Sequence, residues 1–495
     1  MPLESSPLFD PDFYLECYPD IAKSGLDPYY HYCLYGWRED REPSKDFSVH
    51  AYLEMNGDVK GKMNPLYHYI KYGKAENRMT VNPNVTPNVK VEISRLKKIK
   101  AVGEVTTLSN LLSCHFRSLQ PIPYLHVKQN SKEKRLNLVT DDIGKYLLGG
   151  VGTALLLASA YAIKNKMTLR IITRTVPADA VNYYSFMKMM KEETPKKVIF
   201  YSDYDRDRYG ESTLKLEVFE NDEFFATSWW SAVAVQNMKL NRKIYYLIQE
   251  AETFFYPYGE DHLYCSRLLN KSKNLCFIVN SHWLWDYFKK SFPNVTTHGV
   301  YFEPAFPPFL YHPSMEQNKT KHRLFFYSRP TRPRNLYYFG LEVLDMALKR
   351  RIIDPSKWEI VFAGDDNAGG VEFSDGTNVT YLGQMNWQDY AKFLGTVDVT
   401  LSLMYTPHPS YPPLDTLSSG GVCVTNRFDN KTDNPWCDNI IFCDLDEESL
   451  CQGLAQGIAL VLDTERRKEN FRKNTIPSSW ADTFRETIDF MESFR

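Results

Sequence analysis

Two successive runs of short apolar strands alternating with helix-length stretches constrain this chain more than any other feature. From Leu136 to about Glu303 the runs LNLVT, TLRIITR, KKVIFY, KIYYLIQ and LCFIVN are separated by segments such as ALLLASAYAIKNK and FMKMMKEE. Strands that are apolar on both sides belong to parallel sheets covered on both faces, and the intervening helices supply the cover. From about Phe306 the alternation restarts with RLFFYSR, EIVFAG, TYLGQ, VTLSLM, VCVTN and IIFC. At 495 residues the chain is too long for one core. The expected class is α/β, with two doubly wound Rossmann-like domains, 136–305 and 306–475, and an amphipathic closing helix within 476–495. Ligands of such sheets bind at the carboxyl ends of strands, so the two halves are expected to face a cleft.

The first 80 residues repeat themselves. Tyr14, Leu15 and Asp20 align with Tyr52, Leu53 and Asp58; after a one-residue deletion Pro28, His31, Tyr32 and Gly36 align with Pro65, His68, Tyr69 and Gly73. Two copies of an aromatic unit of roughly 37 residues point to a small helical interaction module, with His31 and His68 as packing residues. Residues 81–135 read as a linker, VNPNVTPNVK, running into a basic helix around Arg95, Lys97, Lys98 and Lys100.

A net charge of −2 gives no support for nucleic acid as a partner. Nine cysteines, odd in number and without a C-x-x-C pair, fit reduced thiols in a cytoplasm. No basic segment followed by an apolar run opens the sequence, so no secretory signal is visible. The uncharged stretch Tyr146–Ile163 raises the membrane question, but Gly149, Gly150 and Gly152 after a strand make it a glycine loop and a buried helix. The expected location is cytoplasmic, or peripheral at the inner face of the membrane, with the repeats a candidate contact to a membrane surface or protein.

The chemistry concentrates on strand ends. HPSYPPLDTLSSGGVCVTN, 408–426, carries Tyr411 and Asp415 on a Pro-rich loop and is expected to run into a small-residue helix start at Ser418–Gly421, where backbone approaches a diphosphate. YSRPTRPRNLYYFGLE places Arg329, Arg332 and Arg334 directly after a strand, and guanidinium groups grip phosphate bidentately. FAGDD, with Gly364, and YLGQMNWQDY, with Gly383, end strands in glycine turns that offer backbone groups to a base. The GGVGT of 149–153 lacks the spacing and the acid of a dinucleotide fingerprint, which argues against a nicotinamide enzyme. No D-x-D stands on a suitable strand-end loop, so no metal and no cofactor is expected.

These elements together resemble the retaining GT-B glycosyltransferases of family 4, and within them the bacterial rhamnosyltransferases of the WsaF type. The likeness covers roughly residues 136–475. It rests on LLGGVGTA (147–154), ATSWWSA (226–232), YYLIQEAETFFYPYG (245–259), SRPTRPRNLYYFGLE (328–342), LSLMYTPHPSYPPLD (401–415) and SSGGVCVTN (418–426). It implies transfer of a deoxyhexose, rhamnose from dTDP-rhamnose, to a growing surface polysaccharide or S-layer glycan, on a glycan or lipid-linked glycan acceptor. The alternative is a catalytically silent glycan-binding or scaffold subunit.

By the resemblance, donor contacts fall to Arg329, Arg332, Arg334, Gly364, Gly383, Gln384, Met385, Ser410, Tyr411, Leu414 and Asp415, with Asp415 on the ribose. Acceptor contacts fall to Gly149, Gly150, Gly152, Thr153, Trp229, Trp230, Gln249, Glu250 and Glu252. Glu250, Glu252 and Arg329 are the catalytic candidates, without one of them being singled out. Three positions depart from the family pattern: Pro407 stands where a first glutamate is usual, Asp415 replaces the second glutamate, and Gln384 stands where a lysine is expected. The N-terminal repeats resemble units attached to many polysaccharide glycosyltransferases.

Overall fold

The structure is a computed structural model. It describes residues 6–18, 21–22, 26–39, 41–44, 46–49, 52–53, 56–59, 63–78, 108–129, 131–144, 149–202, 216–240, 242–313, 320–365, 370–433 and 435–494. The basic segment Arg95–Lys100, most of the linker, Leu147, Leu148 and Asp366 lie outside the described residues. The chain divides into two compact units, Met1–Leu247 with Asn274–Cys276, and Ile248–Lys273 with Phe277–Phe494.

In the first unit strands β1 (Tyr124–Lys128), β2 (Arg135–Thr140), β3 (Thr168–Thr173), β4 (Val198–Ser202), β5 (Leu216–Phe219), β6 (Asp222–Ala226) and β7 (Ile244–Ile248) follow in order. Five of them form a parallel array in the order β4-β3-β2-β6-β7, while β1 and β5 pair separately. Every residue of β2 and β3 is buried, the polar ones included. The expected helix after β2 spans Gly150–Lys164 and is buried along most of its length. Among the described residues no helix is long and apolar enough to cross a membrane.

Strands β5 and β6 were not among the apolar runs, because they carry charge. Asp222 opens β6 with its side chain fully buried, receiving Arg135 Nε at 2.8 Å and Arg135 Nη2 at 2.9 Å. Arg170 on β3 adds a third contact at 3.3 Å and donates to Asn137 Oδ1 at 2.7 Å. Burying these charges is tolerable only because they are paired. The FMKMMKEE helix begins earlier than its apolar residues suggest, at Ala180 behind the Asp179 cap, and ends at Met189.

The duplicated module repeats its contacts as well as its letters. In each copy a short helix, Pro28–His31 or Pro65–His68, continues into a π-helical turn, Tyr32–Gly36 or Tyr69–Gly73. His31 Nδ1 bonds the Tyr14 hydroxyl at 3.0 Å, and His68 Nδ1 bonds Tyr52 at 2.9 Å. A Cβ on Gly36 would lie 2.0 Å from the Tyr14 hydroxyl, and one on Gly73 2.3 Å from that of Tyr52. Both histidines are therefore packing residues that fix a tyrosine. Phe13 joins the module to its unit by meeting Tyr184, ring centroids 6.2 Å apart.

Strand β8 (Leu275–Asn280), whose first two residues belong to the first unit, pairs in parallel from Phe277 onward with β9 (Gly299–Phe302), and the second unit contains a six-stranded parallel sheet of β10 (His322–Ser328), β11 (Trp358–Gly364), β12 (Thr380–Tyr381), β13 (Val399–Ser402), β14 (Val422–Asn426) and β15 (Ile440–Cys443). The order β12-β11-β10-β13-β14-β15 makes β10 and β13 central. Helix Tyr337–Lys349 presses on β10 so closely that a Cβ on Gly340 would lie 2.3 Å from the Phe326 ring. The closing helix spans Trp480–Ser493 and buries Phe484, Ile488 and Met491.

Candidate active site

The carboxyl ends of β10 and β13 gather most of the expected donor residues. After Ser328 the chain turns through Pro333–Asn335 and a left-handed Leu336 (φ 51°) before entering its helix, which lifts three arginines at the sheet edge. Gly364 ends β11 at φ 141°, where a Cβ would meet the Ser328 carbonyl at 2.7 Å. Its N–H donates to Gly383 O at 3.1 Å, so both glycine turns close on β10. Gln384 and Met385 follow, half-buried.

The arginines repel one another. Burial, then Arg329 and Arg334, push the Arg332 guanidinium below its ordinary range. Burial lowers Arg334 too, against the pull of Glu250, whose Oε2 lies 3.2 Å from Arg334 Nε. Arg329 rests near the Tyr327 ring, 5.8 Å to its centroid, and its buried Nε has no hydrogen-bond partner among the described residues. The buried hydroxyls of Ser328 and Ser402 and the Asn335 carbonyl oxygen also lack partners among the described residues. Clustered positive charge beside unsatisfied hydroxyls at a strand end is the chemistry that suits a phosphate group.

The 408–426 segment differs from its sequence reading. The helix comes before the small residues: it spans Tyr411–Ser418, and Ser418–Gly421 terminate it. Pro412 and Pro413 are tolerated because first-turn N–H groups have no intrahelical acceptor. Gly420 takes φ 81° and donates to Leu417 O at 3.2 Å, while Gly421 donates to Thr416 O at 2.9 Å, the pairing of a Schellman cap. Asp415 thus stands in mid-helix, 4% exposed, with the hydroxyls of Tyr311 and Tyr390 beside it. Burial pushes its carboxyl up to about 8. The acid expected on the ribose is enclosed, as is Leu414. Tyr411 accepts from Asn280 Nδ2 at 2.6 Å and meets Phe306 edge-on, so its ring is held in place.

Ser410 is buried, with φ 63°, and its N–H donates to His408 Nδ1 at 2.9 Å. Burial, then the charges on Arg334 and Lys431, push His408 down to about 3, leaving a neutral imidazole that accepts at Nδ1. Glu250 is buried too. Burial raises its carboxyl against Arg334, the Thr406 hydroxyl, the Ala251 N–H at 3.0 Å and Lys431. Lys431, which the sequence reading passed over, is 1% exposed.

Of the expected acceptor residues, Gly149 takes φ 41° and caps the helix that Gly150 opens, with Gly152 and Thr153 buried behind them. Trp229 is 2% exposed and serves the core, its ring 6.2 Å from that of Trp230. It therefore offers no face to a sugar. Trp230 donates to Asp141 Oδ1 at 2.9 Å. In the other unit Gln249 is half-buried and accepts from Asn280 at 3.3 Å, and Glu252 is buried at the start of a 3-10 turn.

Two family models match the chain: that of the WsaF N-terminal domain over residues 135–282, and that of the WsaF C-terminal domain over 322–455. The chain belongs to the WsaF family. The O-antigen biosynthesis protein RfbC of Myxococcus xanthus is 33% identical over 223 residues, 43% of this chain. That stretch is 16% of the length of RfbC, so the WsaF-family chain spans a small part of its longer relative. Anabaena Alr3699/HepE, solved with UDP and glucose, superposes with a TM-score of 0.51 at 12% identity, over 73% of this chain and 99% of that one. A mutant of S. aureus TarM, solved with fondaparinux, alpha-GlcNAc-glycerol and UDP, gives 0.50 at 9% identity, over 72% and 99%. At these identities the likeness is one of fold, and the fold class is GT-B.

Proposed function

We propose that this WsaF-family chain moves a deoxyhexose, rhamnose from dTDP-rhamnose, onto a growing bacterial surface polysaccharide, with retention and without a metal. The observation that carries a nucleotide-sugar donor is the strand-end group of Arg329, Arg332 and Arg334, mutually repelling, with the Arg329 Nε unpartnered among the described residues. A diphosphate relieves that repulsion. As the glycosidic bond breaks, negative charge gathers on the leaving diphosphate, and fixed guanidinium groups stabilise it more than the ground state. Ser410 and Tyr411 border the nucleotide, and Asp415 lies buried behind them. The polymer and the sugar rest on the WsaF and RfbC likenesses, and the UDP complexes of HepE and TarM support a nucleotide partner.

Calorimetric titration with dTDP, UDP and GDP, with and without EDTA, tests the reading. Tightest binding of dTDP, unchanged by EDTA, is expected, with Arg329→Ala weakening it by about 1–3 kcal/mol for a lost charged hydrogen bond. A chain that binds none of the three would be a glycan-binding subunit instead. EDTA-sensitive binding would overturn metal independence.

A further inference from the structure

Lys431 lies in RFDNKTDN, a run that reads as a solvated loop, yet its side chain is buried. An ammonium group leaves water at a cost of several kcal/mol unless its protons find acceptors and its charge a partner. Here Nζ donates to the Met404 carbonyl at 3.1 Å and to the His408 carbonyl at 3.4 Å; burial pushes the ammonium down to about 7, and the Glu250 carboxylate, acting through space, works against that loss of charge. The backbone of Lys431 is itself pinned by a bridge to Phe428, with N–O distances of 2.8 and 3.1 Å.

Glu250 closes the circuit. One carboxylate oxygen pairs with Arg334, whose own carbonyl accepts the Tyr405 N–H at 2.8 Å. Residues 403–410, between β13 and the helix at Tyr411, have no helix or strand of their own. Their course is set by Lys431, Arg334 and Asn426, which receives the Met404 N–H at 2.8 Å. At the end of that loop stand Ser410, in a left-handed conformation, and Tyr411.

We propose that Lys431 is a positioning residue of the nucleotide-sugar site: its ammonium ties down the Met404–His408 loop and, with Arg334, balances the buried Glu250 carboxylate, so fixing Ser410 and Tyr411. This rests on the nucleotide-sugar reading. Removing Lys431 frees the loop and leaves Glu250 with one countercharge. Neutralising Glu250 as well removes the excess charge, so the two changes couple.

The test is dTDP and UDP titration of the full chain as wild type, Lys431→Met, Glu250→Gln and the double variant. Expected are a loss of about tenfold or more for Lys431→Met, and a double variant only about threefold weaker than Glu250→Gln, since the tether is lost in both backgrounds but the charge imbalance in one. A lysine that served only general stability would give multiplied losses instead. Binding by Lys431→Met within about twofold of wild type, or losses that multiply, overturns the proposal. Should Lys431→Met fail to fold, the double variant against Glu250→Gln decides: binding about threefold weaker, the loss of the carbonyl tether without a stranded charge, supports it, and equal binding or a loss of about tenfold overturns it. A wild type that binds no nucleotide overturns the donor-site reading, and the positioning role falls with it.

Discussion

His408 gives the sharpest quantitative test of how the second unit is built. Its imidazole is buried, Nδ1 accepts the Ser410 N–H, and Arg334 and Lys431 add positive charge nearby. A proton on Nδ1 would set a donor against a donor. The ring is pushed from the ordinary 6.5 down to about 3. In the unfolded chain the same ring takes a proton below 6.5, so the unfolded state binds more protons throughout the window between the two values. Stability therefore falls as pH drops from 6.5 towards 3. Across the whole window the difference amounts to at most about 5 kcal/mol, at roughly 1.4 kcal/mol per unit, and at pH 5 the share already lost is about 2 kcal/mol.

Urea unfolding at pH 7 and pH 5, on wild type and His408→Asn, isolates this contribution. Asparagine retains an acceptor for Ser410 but does not titrate. Wild type should lose about 2 kcal/mol more than the variant between the two pH values. Equal losses would refute the argument, because they would mean that the folded protein protonates His408 as readily as the unfolded chain does.

Asp415 carries the opposite sign. Its carboxyl is raised to about 8, so between 3.8 and 8 the folded state holds a proton that the unfolded state releases, and stability falls as pH rises through that window. Asp415→Asn should flatten the decline in thermal midpoint from pH 5 to pH 8; an unaltered slope would refute the assignment. In the first unit, Asp222→Asn leaves the buried Arg135 and Arg170 without their carboxylate. A loss of about 3–5 kcal/mol is expected in denaturant unfolding, and a loss below 1 kcal/mol would show that the charges find water.

The alternation of apolar runs made eleven strands legible, because a buried parallel strand is apolar on both faces and few other elements are. Strands β5 and β6 were hidden by Glu217, Asp222 and Glu223, whose partners are distant in sequence: Arg135 and Arg170 for Asp222, Lys128 and Arg135 for Glu217, and the Tyr161 and Tyr245 hydroxyls for Glu223. The position of the arginine trio was readable, since three arginines directly follow an apolar strand in the sequence. The helix at Tyr411–Ser418 was misplaced because Pro412 and Pro413 look like a loop unless they are recognised as first-turn residues. Lys431 gave no local signal at all: its meaning lies in two carbonyls more than twenty residues away and in Glu250.

The Tyr14–His31–Gly36 and Tyr52–His68–Gly73 sets amount to one device built twice in a single polypeptide. Each copy is thus a yardstick for the other. Expression level, temperature, buffer and the rest of the fold are identical for both, so any difference in how they tolerate the same change measures the immediate surroundings alone.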